Sequence, residues 1–244
     1  MNVVLPHLPA LQVVIPLIAA PLCLLAGRAS LAWIIAFLAS ACATATAVIL
    51  AYQTLHHGPI SYHMGGWAPP WGIEYAVDSA NAFILLLVSG IATVVLLYCP
   101  SSVSKEIRAG REHLFYCMFI LCLTGLLGIA ITGDAFNVFV FLEISSLSSY
   151  ALIAMGSQRE ALTASFQYLI MGTIGATFFL IGIGLLYMIT GTLNLADLQT
   201  RIPQIQDSRP LLAAFAFITV GLALKAALFP LHLWLPNAYT YAPS

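Results

Sequence analysis

Hydrophobic residues along this chain run in long blocks. They do not alternate with polar ones at the two-residue period of a half-buried strand. A helix that crosses a bilayer core of roughly 30 Å needs about 20 apolar residues. Seven blocks qualify: Leu8 to Ala26, Leu31 to Tyr52, Ser79 to Cys99, His113 to Thr132, Ala135 to Met155, Leu162 to Thr190 and Leu211 to Phe229. The pattern predicts an all-α, polytopic transmembrane helix bundle of about seven spans. The sixth block carries Gly172, Gly175, Gly182 and Gly184, which permit tilt or the close approach of a neighbouring backbone. The last block runs into a segment punctuated by Pro230, Pro236 and Pro243, so a discontinuous helix is expected near the C-terminus. Apolar character persists to Ser244, as in the lead-in to a further helix. The expectation is a split gene or a fragment.

Composition reinforces this picture. Hydrophobic residues make up 61% of the 244 and charged residues 7%, against about 25% charged in a soluble domain. Lipid must therefore be the solvent for most of the surface. A net charge of −1 provides no basic field for nucleic acid. The first basic residue, Arg28, follows the first apolar block, so that block reads as a permanent span and not as a cleaved signal. Arg28, Lys105, Arg108, Arg111 and Arg159 fall in alternate loops, whereas only Arg201 and Arg209 fall on the other side. The positive-inside rule then predicts an N-terminus outside.

The 53–77 loop, outside by the same rule, holds His56, His57, His63, Trp67 and Trp71, and has no carboxylate before Glu74. Its histidines match no standard ligand spacing. It is expected to be an extracytoplasmic cap with interfacial tryptophans, not a metal site. The five cysteines lie in or at the ends of apolar blocks without a Cys-x-x-Cys pair, and read as small core residues. No phosphate-binding, dinucleotide or haem-attachment motif is present, so neither cofactor nor metal is expected.

Two charges lie deep within apolar blocks. Glu143 is ~13 Å into the fifth block at 1.5 Å per residue, and Lys225 is ~22 Å into the seventh. A charge at the bilayer centre costs about 2.5–3.5 kcal/mol even on insertion scales. Each must face the bundle interior, water or an opposite charge, and the cheapest partner for one is the other. Burial favours the neutral form of either type of group, and a nearby opposite charge favours the ionised form. A pair of this kind can therefore exchange a proton when the partner moves. The alternative role is helix packing alone.

Ser146 and Tyr150 follow Glu143 on one helical stripe and could line a hydrated path or simply permit close packing. His232, between the prolines, is either a proton shuttle or a hydrogen-bonded interfacial residue. Asp78 and Asp134 each precede a block and read as helix caps, with proton donation as the other reading of Asp134. Arg159 and Glu160 read as a solvated pair in a short loop.

Three stretches carry a family resemblance. The run from Gly133 through Glu143 to Ile153 resembles the fifth transmembrane helix of D subunits of Mrp-type cation/proton antiporters. Arg159-Glu-Ala-Leu, Gln167-Tyr-Leu-Ile-Met-Gly172 and Gly191-Thr-Leu-Asn-Leu-Ala-Asp197 resemble the helix that follows. The run from Lys225 to Pro243, with Phe-Pro230-Leu-His232-Leu-Trp-Leu-Pro236, resembles the lysine-bearing broken helix shared with antiporter-like subunits of respiratory complex I.

The resemblance implies helices organised as two inverted five-helix repeats. Residues 1–112 would be three leading helices, and 113–244 an incomplete first repeat. It implies proton translocation through Glu143, Lys225 and His232, coupled to Na⁺ or another monovalent cation, in the bacterial inner membrane. The expected partners are other complex subunits and a polypeptide supplying the remaining helices. The competing expectations are a proton-pumping arm subunit of complex I or a membrane-bound hydrogenase, and a scaffold without transport.

Overall fold

The computed structural model describes residues 5–205 and 208–243. The architecture is a helical membrane bundle with one small hairpin. A 3₁₀ turn, Leu5–His7, leads into α1 (Leu8–Ala26), followed by α2 (Ala29–His57), α3 (Ser79–Glu106), α4 (Glu112–Ile131), α5 (Ala135–Ala154) and α6 (Arg159–Thr190). The 19 to 32 residues of these helices give lengths of ~28 to ~48 Å, enough to cross a bilayer. Then come the short α7 (Leu195–Arg201), α8 (Arg209–Lys225) and α9 (Trp234–Tyr241).

Helix ends follow the local sequence. Asp78 caps α3 in a reciprocal capping box with Asn81, and Asp134 caps α5 by accepting from the Asn137 N–H at 2.8 Å. Gly27 ends α1 and Gly191 ends α6, both in left-handed conformations (φ 62° and 71°) that a residue with a Cβ adopts at a cost.

The seventh predicted span requires correction. Its helix does not continue to Phe229 but stops at Lys225 after 17 residues. Residues 226–233 are irregular, Ala227 has φ 51°, and the chain becomes helical again at Trp234. Continuous apolar character had hidden this stop, because hydropathy records burial in lipid and is blind to backbone hydrogen bonding. Pro230 lies in the middle of the break. Pro236, expected to contribute to the break, instead sits in the first turn of α9, where a missing N–H costs nothing.

The 53–77 segment also departs from a plain loop. Helix α2 runs on to His57, and β1 (Ile60–His63) pairs antiparallel with β2 (Glu74–Val77). The hairpin ties the helix ends on its side of the bundle. Tyr75 bridges to Thr132 and Asp134 to Asn194. The Gly133 N–H donates to the Glu74 carbonyl at 2.8 Å, and the Leu195 N–H donates to the Gly133 carbonyl at 2.8 Å. The Glu74 carboxylate accepts from Ser61 on the hairpin and, at 2.7 Å, from the Asn194 amide beyond α6. Among the 53–77 histidines, His56 is stacked on Tyr52, and His63 lies opposite Glu74 in the hairpin.

Lipid removes the hydrophobic drive between helices, so close packing and interhelical hydrogen bonds must hold them. Between α2 and α3 the hydroxyls of Ser40 and Thr44 lie 2.7 and 2.9 Å from that of Thr93. Trp33 on α2 donates its indole N–H to the Leu96 carbonyl of α3 at 2.7 Å. Helices α6 and α8 meet backbone to backbone. A Cβ added at Gly221 would stand 2.7 Å from the Gly175 carbonyl oxygen. Of the sixth-span glycines, Gly172 faces Tyr150, Gly175 and Gly182 face α8, and Gly184 meets no neighbour within 4 Å of where a Cβ would be. Cys23, Cys99 and Cys117 are buried, and Cys42 is exposed.

Candidate functional site

Helix α5 brings Glu143 to the middle of its 20 residues, and α8 ends on Lys225. Helix α6 packs against both, and past it the Lys225 ammonium reaches α5. Lys225 Nζ donates to Glu143 Oε1 at 2.8 Å and to Ser146 Oγ at 2.7 Å. The side chains are 8% and 21% exposed for Lys225 and Glu143, so the pair is largely withdrawn from the surface.

This arrangement follows from helix geometry. Side chains lean toward a helix N-terminus, so a lysine at the last position of α8 is directed back to the depth of Glu143. One turn separates Glu143 from Ser146, and the spacing puts both oxygens on the face that the ammonium meets. The carbonyls left free at the end of α8 add negative partial charge beside the ammonium. A buried ion pair of this kind is stable only while both members are present, since removing one strands the other at a cost of about 3–5 kcal/mol.

Tyr150 continues the stripe. It is buried, its Oη has no hydrogen-bond partner among the described residues, and the hydroxyl presses on Gly172 of α6. His232 lies within the break, half-buried, with Nδ1 enclosed and unpartnered among the described residues. The structure thus brings Glu143, Ser146 and Lys225 into direct contact and sets Tyr150 on the same face. No hydrogen bond joins His232 to that group among the described residues.

Sequence reasoning missed two features. Trp234 donates its indole N–H across the break to the Leu224 carbonyl at 3.0 Å, and Glu74 clamps the hairpin to Asn194. Neither has a local signature, because each depends on a partner distant along the chain. At the hairpin end, outside the spans, burial pushes the Asp134 carboxyl above the usual range, and its backbone hydrogen bonds only partly offset this. The hydrogen bond from Arg201 holds the Asp197 carboxyl below it. Arg159 and Glu160 are both exposed at the start of α6 and form no ion pair among the described residues.

Residues 132–244, which hold every group of this site, match the family described as NADH:quinone oxidoreductase/Mrp antiporter transmembrane. The chain is 45% identical over 242 residues to the N subunit of the NADH-quinone oxidoreductase of Desulforudis audaxviator, covering 98% of this chain and 48% of that protein. It is 33% identical over 235 residues to the D subunit of the Na(+)/H(+) antiporter of Bacillus subtilis, covering 96% and 47%.

Among solved structures, it superposes with a TM-score of 0.90 and 35% identity on a chain of the membrane-bound sulfane sulfur reductase, an archaeal respiratory membrane complex. That likeness covers 97% of this chain and 48% of that one. On a chain of the Mrp complex from Dietzia sp. DQ12-45-1b the TM-score is 0.81 with 27% identity, covering 97% and 44%. The chain therefore spans about half the length of the curated relatives it matches. Over residues 132–244 the chain carries the transmembrane domain of the family described as NADH:quinone oxidoreductase/Mrp antiporter, and along nearly its whole length it is similar to subunits of both kinds of complex.

Proposed function

We propose that this chain supplies a proton path through a multisubunit membrane complex, with Glu143 and Lys225 as its exchanging pair, and that the complex exchanges protons for Na⁺ or another monovalent cation. The observation that carries the reading is the Lys225 ammonium held between Glu143 and Ser146 midway along α5. Such placement is costly and in membrane proteins marks ion pathways. When Glu143 takes a proton or is displaced, the ammonium loses its counter-charge and releases a proton. The Ser146 hydroxyl both donates and accepts, and Tyr150 extends that face. His232, in the break that follows Lys225 along the chain, serves as the next acceptor.

Other membrane subunits are the proposed partners. The N-terminus is placed outside, in the inner membrane, by the excess of basic residues on the opposite side. A second reading, in which electron transfer elsewhere in a respiratory complex drives the same path, is supported by the 45% identity to a quinone oxidoreductase subunit.

The test is proton flux in inverted vesicles from cells making the intact complex, driven either by a cation gradient or by an electron donor. Glu143→Gln and Lys225→Ala are each expected to lower flux per assembled chain about a hundredfold, the scale of losing a positioned proton-transfer group. Undiminished flux in both variants would refute the path. The driver that supports wild-type flux separates the two readings.

A further inference from the structure

Trp234 is the first residue of α9 and is only 6% exposed. Its indole N–H donates at 3.0 Å to the carbonyl of Leu224, the residue immediately before Lys225. In an unbroken helix that carbonyl would receive the N–H of Leu228. Here the Leu228 N–H turns to Ala223 at 2.9 Å, and the Leu224 carbonyl is left with a longer 3.2 Å approach from Ala227. The indole thus adds, from across the break, a shorter second donor beside the Ala227 N–H.

The same ring reaches the other half of the site. It lies flat on Tyr168 of α6, with centroids 3.9 Å apart and an interplanar angle of 2°. Tyr168 in turn meets Tyr150 edge-on at 4.5 Å. Tyr150 stands one helical turn beyond Ser146, whose hydroxyl accepts from Lys225. One side chain therefore touches, by a hydrogen bond, the backbone from which Lys225 projects. Through Tyr168, on which it stacks and which meets Tyr150 edge-on, it is also linked to the helix that presents Glu143 and Ser146.

We infer that Trp234 is a positioning residue, whose indole N–H fixes the last turn of α8 so that Lys225 meets Glu143 and Ser146. The inference rests on the proton-path reading above. A purely space-filling ring would need no donor. Phenylalanine would fill a buried apolar site without bringing a polar N–H into it, whereas a carbonyl at the end of α8 that the backbone reaches by a long bond gains from a second donor.

The decisive variant replaces Trp234 with β-(3-benzothienyl)alanine, which keeps the bicyclic shape and exchanges the N–H for sulfur. Trp234→Phe serves as a second donor-free variant. Both are measured in vesicles carrying the intact complex, with flux recorded against driver concentration. Maximal proton flux is expected to fall about tenfold, the population shift worth one lost buried hydrogen bond. The half-saturating driver concentration and the amount of assembled chain should stay constant. Unchanged flux in the benzothienyl variant, alongside a dead Glu143→Gln control, would overturn the positioning role and leave the path intact. Flux that falls only in proportion to assembled chain would assign the ring to packing and also overturn it. Full flux in Glu143→Gln and Lys225→Ala would remove the path itself.

Discussion

Single residues in this protein do work set by where their polar atoms end up. Asp134 caps α5 from the junction with α4, yet burial raises its carboxyl above the ordinary value of 3.8. An acid with a raised folded pKa carries no penalty below its unfolded pKa. It pays the full penalty above the folded one, so Asp134 weakens the fold as pH rises through that window. Asparagine caps as well as aspartate does, and it has no charge to desolvate. Asp134→Asn should therefore match or exceed wild-type thermal stability at pH 7, with the difference closing near pH 4. Asp134→Ala should lose about 0.5–2 kcal/mol at both pH values. Melting in detergent across pH checks this, and a neutral-pH loss in the Asn variant would contradict it.

At this scale the sequence was most readable where chemistry is costly. Glu143 and Lys225 stood out because a charge inside an apolar run demands a reason. Trp234 did not, because an aromatic residue in an apolar run demands none until its N–H is seen on the Leu224 carbonyl.

Helices α6 and α8 depend on glycine for their contact. The Gly221 Cα sits against the Gly175 carbonyl oxygen and Phe179, with no room for a Cβ. Gly221→Val is expected to force the helices apart at about 1–3 kcal/mol, the usual cost of overpacking. Because α8 carries Lys225, the separation should also reduce proton flux. Unfolding midpoint and flux together test the point, and a variant normal in both would show that the close contact is dispensable.

Glycines along the sixth block announced a close approach but could not name the partner, which lies on another helix. The first six spans were legible from hydropathy, with Asp78 and Asp134 marking the starts of α3 and α5, but α2 and α3 run on to His57 and Glu106, past the ends of their apolar blocks. Hydropathy failed at the seventh because the stop at Lys225 is a matter of backbone hydrogen bonding, with Leu228 turning to Ala223, and apolar side chains continue unbroken through it.

Across the whole molecule, the hairpin ties the helix ends on one side, through Tyr75, Glu74, Asp134 and Asn194. Below it, one ion pair links α5 to the broken helix. The hairpin was not legible beforehand, since alternation over four residues is too short to stand out and the strands are held by contacts to residues more than fifty positions away. The bundle and its deep pair were legible, because the cost of polar groups in lipid leaves few arrangements. The central claim is that the pair relays protons in a fixed order and does more than hold two helices together. Exchanging the charges, Glu143→Lys with Lys225→Glu, separates these roles. A packing role needs only opposite charges, while a relay needs the ammonium on the helix that leads into the break. The decisive measurement is proton flux in vesicles containing the exchanged chain. The account predicts assembly near the wild-type level with flux lost; wild-type flux from the exchanged chain would contradict it.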